Sequence, residues 1–194
     1  MDECGRGSLA GPLVAASAII KIDIDIFIAS LPAPLRDSKK LSHLQRQKIV
    51  NAISPLTVDF QIESISVEEI NAHGIGWANQ IVFERLIQKS NSDQYIVDGN
   101  LKFSDPRAIS IIKADSLHPE VMLASIIAKE FRDNLLSQLD IDFPVYGWKS
   151  NAGYGSSEHI QALKIHGATP HHRLQFITTA LYHKGVKLNL PWKK

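Results

Sequence analysis

Residues 9–20 read LAGPLVAASAII, a run of small and β-branched residues that follows a glycine turn at Gly5–Gly7. It predicts a buried strand near the start of the chain. Working outward, Thr57–Ile65 (TVDFQIESI) alternates apolar and polar and predicts another strand. Gln94–Val97, running into Asp98-Gly99, is a short strand with its turn, and Ala108–Ile112 is one more. Helices fall between and after these strands. Ser42 with Gln45 forms a capping box for a helix to about Ile53, and Ser66 with Glu69 a second for a short helix ending near Gly74. Trp77–Gln88 carries Ile81, Leu86 and Ile87 at helical spacing. From Pro119 to Leu139, Val121, Ala124, Ala128, Phe131, Leu135 and Leu139 recur every three or four positions, predicting the longest helix. Ser157–His166 is a further helix stopped by Gly167. Residues 21–41 read as a loop punctuated by Pro32 and Pro34; residues 171–194 read as helical at first, then irregular around Pro191. Strands first, then strands mixed with helices, indicate an α/β domain on a mixed sheet.

Size and composition set the outer bounds. The 194 residues suit one compact domain with a full core, or a domain with a short appendage. With 44% hydrophobic and 21% charged residues, the chain is ordinary for a globular protein. A single cysteine, Cys4, excludes an intramolecular disulfide and fits an intracellular setting. No apolar run approaches the roughly 18–20 residues that span a bilayer. The N-terminus opens on two acids rather than a basic segment and an apolar one, so it does not read as a secretory signal. A formal charge of +1 is uninformative: a DNA-coating protein is usually basic, whereas an enzyme that visits nucleic acid needs only a local basic patch. The densest such patch is Lys39, Lys40 and Arg46, with Lys48 nearby; taken alone it reads more often as a solvated helix face.

Four acids stand out by position. Asp2 and Glu3 precede the glycine turn, Asp98 ends an apolar strand, and Asp115 lies just before the long helix. Carboxylates without Cys or His are the expected donors for a hard cation such as Mg²⁺. Taken singly, each also reads as a solvated turn or cap acid, and spacing alone does not gather them.

The wording around them is more specific. Asp2-Glu3-Cys4-Gly5-Arg6-Gly7-Ser8-Leu9-Ala10-Gly11-Pro12 resembles the opening signature of the ribonuclease HII family. Asp37-Ser38-Lys39-Lys40-Leu41-Ser42, Val97-Asp98-Gly99 and Lys113-Ala114-Asp115-Ser116 resemble its next motifs. So do Ala124–Lys129 with Arg132-Asp133, Asn151-Ala152-Gly153-Tyr154-Gly155, His159, and Gly167–Arg173 through Phe176, all in the family's order.

That resemblance, over roughly residues 2–180, implies a ribonuclease H-like fold: a mixed five-stranded sheet flanked by helices, with a helical C-terminal extension. Residues 1–194 would be a single catalytic domain whose part from about 140 onward is loop and helix. The activity implied is that of a Mg²⁺- or Mn²⁺-dependent endonuclease using two metal ions. It would cut on the 5′ side of ribonucleotides embedded in duplex DNA and degrade the RNA of RNA–DNA hybrids. Asp2, Glu3, Asp98 and Asp115 would be the catalytic, metal-binding carboxylates. Gly5, Arg6 and Gly7 would read the ribose 2′-hydroxyl, which alone separates RNA from DNA at a given sugar. Tyr154 would stack on the neighbouring nucleotide, while Lys39, Ser125 and Lys129 would contact phosphates. Arg132 is an alternative brace for a carboxylate. The setting implied is a cytoplasmic, membrane-free monomer acting on RNA–DNA hybrids and ribonucleotide-containing duplex DNA.

The other functional-looking residues read more plainly. His159 and His166 are expected to be structural or solvated, and Trp77, Trp148 and Trp192 to pack. Cys4 is expected to be a small filler where the family usually has Ala. The apolar and basic stretch Leu188–Lys194 fits no docking pattern for a clamp-like partner.

One departure is visible: family members carry several residues before the Asp-Glu pair, and here only Met1 precedes Asp2. Asp2 is therefore expected on a frayed strand end. Two alternatives stay open beside the nuclease. One is an impaired relative that binds RNA–DNA junctions without cutting; the other is a different nuclease or strand transferase on the same fold.

Overall fold

The computed structural model describes residues 1–182. The expectations for Pro191, Trp192 and Leu188–Lys194 lie outside the described residues. In chain order the strands are β1 (Asp2–Cys4), β2 (Leu13–Ile20), β3 (Val58–Ile65), β4 (Tyr95–Asp98) and β5 (Ala108–Ile111). The helices are α1 (Ile24–Ser30), α2 (His43–Ala52), α3 (Val67–His73), α4 (Ile75–Lys89), α5 (Pro119–Asp142), α6 (Trp148–Asn151), α7 (Ser157–His166) and α8 (Leu174–Tyr182). This is the α/β architecture expected, and both capping boxes form. Ser42 Oγ accepts from Gln45 N and Ser66 Oγ from Glu69 N, while each partner side chain accepts from the cap nitrogen in return.

The chain gathers into two compact units. The first comprises Met1–Cys4, Val14–Ser64 and Asn79–Phe131. Its strands pair as β1-β2-β3, with β1 antiparallel to β2 (Asp2 opposite Ala16, Cys4 opposite Val14), and as a parallel β4-β5 pair. Met1 joins the two sets: its nitrogen donates to Ile96 O at 2.7 Å and its carbonyl accepts from Asp98 N at 3.0 Å. This alternation about Val97 is that of parallel strands. Asp2 is therefore not frayed, contrary to expectation: it and Met1 are both buried. Small residues of β2 let helices come close, so Val14 and Ala16 pack in one core with Phe27 of α1, Ile49 of α2, and Leu123, Ala124 and Ile127 of α5. Cys4 is a member of that core, the filler expected of it.

The second unit comprises Gly5–Leu13, Ile65–Ala78 and Arg132 onward. Its core holds Leu9, Ala10, Leu136, Tyr146, Trp148, Ile160, Leu163 and Ile177. Gly167, at φ 76°, closes α7 by donating to Leu163 O at 3.0 Å, the stop predicted there. Trp148 is buried, and Trp77 is half-buried with its ring centroid 4.4 Å from that of His73.

Three readings of the sequence need correction. Residues 21–41 are not all loop: Asp23 caps α1 by accepting from Asp25 N and Ile26 N, a signal hidden by the strand-like alternation IDIDIFI. The Leu9–Ile20 strand begins at Leu13, because Gly11 turns the chain at φ 81°. Phe131 is 43% exposed, and the buried face of α5 runs instead through Ala128, Arg132 and Leu136, each 0% exposed.

Candidate active site

The first unit brings acids together from three elements. Asp2 stands on β1, Asp98 at the C-terminal end of β4, and Asp115 in a 3₁₀ turn, Ala114–Ser116, entered through Lys113 in the left-handed region at φ 62°. Asp98 fixes that turn by accepting from Ala114 N through Oδ1 at 2.7 Å. Asp2 accepts from Glu3 N at 2.7 Å and from the hydroxyl of Ser125 on α5. Burial pushes its carboxyl up to about 6, and Asp98 adds a like charge in the same direction. Asp115 is also raised, first by burial, then by Asp98 and Asp37, with Lys39 opposing. Asp98 therefore acts on both Asp2 and Asp115.

Glu3 is placed differently. Exposure along β1 runs buried, half-buried, buried, with Glu3 the half-buried member. Asp37 was not singled out in the sequence, although it lies in one of the quoted motifs. Its carboxylate accepts from Lys39 N at 2.9 Å, holding the 3₁₀ turn Ser38–Lys40. Lys39 is exposed and Lys129 half-buried. Ser125 is buried, its hydroxyl shared between Asp2 and Ser38 Oγ, the latter at 2.9 Å. Arg46 is not part of a surface patch. It is buried, donates to Leu41 O at 2.8 Å and lies 3.7 Å from Glu130, while Lys40 and Lys48 remain exposed.

The candidate ligand atoms of Asp2, Glu3, Asp98 and Asp115 are all carboxylate oxygens, which fits a hard divalent cation such as Mg²⁺ or Mn²⁺ in chemistry. As the side chains stand, no group of three or more His, Cys, Asp or Glu among the described residues closes tightly enough to hold a metal ion.

The second unit holds the remaining candidates. Gly5, at φ 90°, begins the loop through Gly7 and Pro12; Arg6 and Gly7 are exposed. Two buried arginines hold this loop. Arg132 donates to Pro12 O, Ala10 O and Ser8 Oγ at 2.7–2.9 Å, and to Ala152 O at 2.8 Å. Arg173 donates to Gly11 O at 2.9 Å and Arg6 O at 3.1 Å. Arg132 thus does not brace a carboxylate through these bonds; its acceptors are three carbonyls and a hydroxyl. An arginine in mid-helix between buried apolar residues was the signal available for this in the sequence. Tyr154 is 39% exposed, and its ring centroid lies 5.7 Å from the Arg132 guanidinium carbon.

A chain of neutral histidines lies behind Tyr154. His172 Nδ1 accepts from Thr169 N at 2.8 Å, which leaves its proton on Nε2, 3.0 Å from His159 Nε2. His159 then carries its own proton on Nδ1 and donates to Tyr154 O at 2.9 Å. Burial lowers both rings, His172 to about 3, so the chain is uncharged at neutral pH. Both histidines are structural, and His166 is exposed, as expected.

Comparison with known proteins gives the family. The Ribonuclease HII family model matches residues 1–179. Ribonuclease HII of Rickettsia bellii is 42% identical over 186 residues, covering 94% of this chain and 90% of that protein. Ribonuclease H2 of Pyrococcus horikoshii OT3 superposes with a TM-score of 0.74 at 22% identity, over 94% of this chain and 95% of its own. Bst-RNase HIII in complex with Mn²⁺ superposes with a TM-score of 0.68 at 22% identity, over 94% of this chain and 68% of its own. The last two carry the fold; the family model and the Rickettsia relative carry the descent. Matched by the family model over nearly its whole length, the chain belongs to the ribonuclease HII family and is a ribonuclease H-type hydrolase.

Proposed function

We propose that the chain is a divalent-cation-dependent endonuclease that cuts duplex DNA on the 5′ side of embedded ribonucleotides, leaving 5′-phosphate ends, and degrades the RNA of RNA–DNA hybrids. Ribonucleotide removal during DNA repair and replication is the matching role, and a cytoplasmic monomer the matching setting. The observation that carries this reading is the convergence of Asp2 and Asp115 on Asp98 from three elements, with burial and the like charge of Asp98 raising both. Such a cluster asks for positive charge. Asp2, Glu3, Asp98 and Asp115 would hold Mg²⁺ or Mn²⁺, the latter being the ion bound in the Bst-RNase HIII complex. The chemistry supplied by two bound cations is charge neutralisation at the phosphate, activation of the attacking water and stabilisation of the leaving 3′ oxygen.

The chain's own residues do the rest. Ser125 and the Glu3 N–H keep the Asp2 carboxylate oriented, and Ala114 N does the same for Asp98. Lys39 and Lys129 are assigned to flanking phosphates, which makes binding salt-sensitive, whereas the single Ser125 proton goes to Asp2. Gly5, Arg6 and Gly7 present backbone close to the ribose hydroxyl, and Tyr154 offers its exposed ring to the adjoining nucleotide. No described helix is long and apolar enough to cross a membrane.

The test is nicking of a duplex carrying one embedded ribonucleotide, with Mg²⁺ or Mn²⁺, beside an all-DNA control. Cutting of the first alone is expected. No cutting by pure, folded protein sinks the reading. Tight, ribonucleotide-selective binding without cleavage replaces it with the impaired relative.

A further inference from the structure

Arg132 is a buried cation in a helix position that an apolar residue would fill at lower cost. It is 0% exposed, between Ala128 and Leu136 on the buried face of α5. Its guanidinium is spent on two short segments at once. Nε and Nη2 bond Pro12 O, Ala10 O and Ser8 Oγ in the segment that carries the Gly5–Gly7 turn. Nη1 bonds Ala152 O, two residues before Tyr154, and the same guanidinium faces the Tyr154 ring at 5.7 Å. Packing is tight on both sides. A Cβ on Gly5 would fall 2.0 Å from Arg132 Nε, and one on Gly153 would fall 2.5 Å from Ala10 O. Gly153 O in turn accepts from Leu9 N at 2.8 Å and Ala10 N at 3.2 Å. A planar fork meets these diverging acceptors; a lysine, with one nitrogen, does not.

We propose that Arg132 is a positioning residue that couples the Gly5–Gly7 turn to Tyr154, so that the ribose hydroxyl and the adjoining nucleotide are read as one event. This rests on the function proposed above. The coupling is mechanical: displacement of one segment is transmitted through the guanidinium to the other, while Tyr154 is 39% exposed. His159 holds the Tyr154 carbonyl from behind at 2.9 Å, so the ring's position depends on its loop and on Arg132 together.

The experiment compares cleavage of a duplex with one embedded ribonucleotide and of a uniform RNA–DNA hybrid; the ratio of the two kcat/KM values measures junction preference. Arg132→Lys is expected to lower that ratio at least about fivefold, the coupling seen between residues in one network. Tyr154→Ala is expected to lower the ratio in the wild-type background and to add little in Arg132→Lys. Two results overturn the proposal. One is effects of Arg132→Lys and Tyr154→Ala that simply multiply. The other is an Arg132→Lys enzyme slowed equally on both duplexes, the mark of a merely structural residue. If Arg132→Lys loses its cooperative thermal transition, Ser8→Ala takes its place, removing one acceptor of the four. A lowered ratio there supports the coupling and an unchanged ratio overturns it. A wild-type protein that cuts neither duplex removes the function and the coupling together, whereas junction preference with independent residues removes the coupling alone.

Discussion

Asp2 in the first unit and Arg132 in the second are both buried charges, treated in opposite ways. Asp2 has one backbone N–H and one serine hydroxyl, and its strongest charged neighbour, Asp98, bears the same sign. Arg132 has four oxygens at 2.7–2.9 Å. A buried charge short of partners is destabilising by itself and is retained where something from outside completes it. One supplied with partners fixes the backbone around it. The first unit therefore stores unbalanced charge where chemistry is proposed, and the second stores rigidity where recognition is proposed.

That contrast breaks most sharply if activity and stability do not separate. Asp98→Asn keeps an oxygen to accept from Ala114 N but removes the charge. It is expected to cut the cleavage rate at least about a hundredfold, as for loss of one group that stabilises transition-state charge, with the melting temperature held or raised. A matching loss of melting temperature would mean that Asp98 is structural instead. Gly5→Ala is the converse. Its left-handed φ and the 2.0 Å approach to Arg132 Nε leave no place for a methyl group. Urea unfolding is expected to show a loss of more than about 3 kcal/mol. A mild effect would show the second unit to be more yielding than its hydrogen bonds imply.

The smallest effect concerns pH. Burial holds His172 near 3, whereas an unfolded chain protonates histidine at about 6.5. The unfolded state thus takes up a proton that the folded state refuses between those values. The stability at issue is fully present above about pH 6.5 and is lost as pH falls toward 3, by up to about 1.4 kcal/mol per pH unit. His159, also lowered by burial, acts in the same direction. The urea midpoint is expected to drop between about pH 6.5 and 5, with a shallower slope in His172→Gln. An unchanged slope would assign the acid sensitivity to other groups.

Legibility from sequence followed the range of the interactions. Capping boxes at Ser42 and Ser66 and the stop at Gly167 are contacts within a few residues of chain, and all three appear where expected. The helix at Ile24–Ser30 was masked because alternation and an Asp23 cap compete in one short segment. Phe131 was assigned to the core because periodicity counts apolar residues, and it had no means of recognising Arg132 as the buried member of that face. For the acids, type and order were legible, while the neighbourhood of Asp37 with Asp115 was not.

By itself the sequence determined most of the elements, the family and the identity of the candidate acids, because local hydrogen bonds and ordered motifs are written in consecutive residues. Only the tertiary structure decided that Met1 secures Asp2 against β4, since that anchor joins residues 95 positions apart. It alone decided that Arg46 is buried beside Glu130, and that Arg132 reaches 120 positions back to Pro12. Partners so distant in the chain leave no periodic or neighbouring trace; they are set by which buried charges the packed chain finds oxygens for.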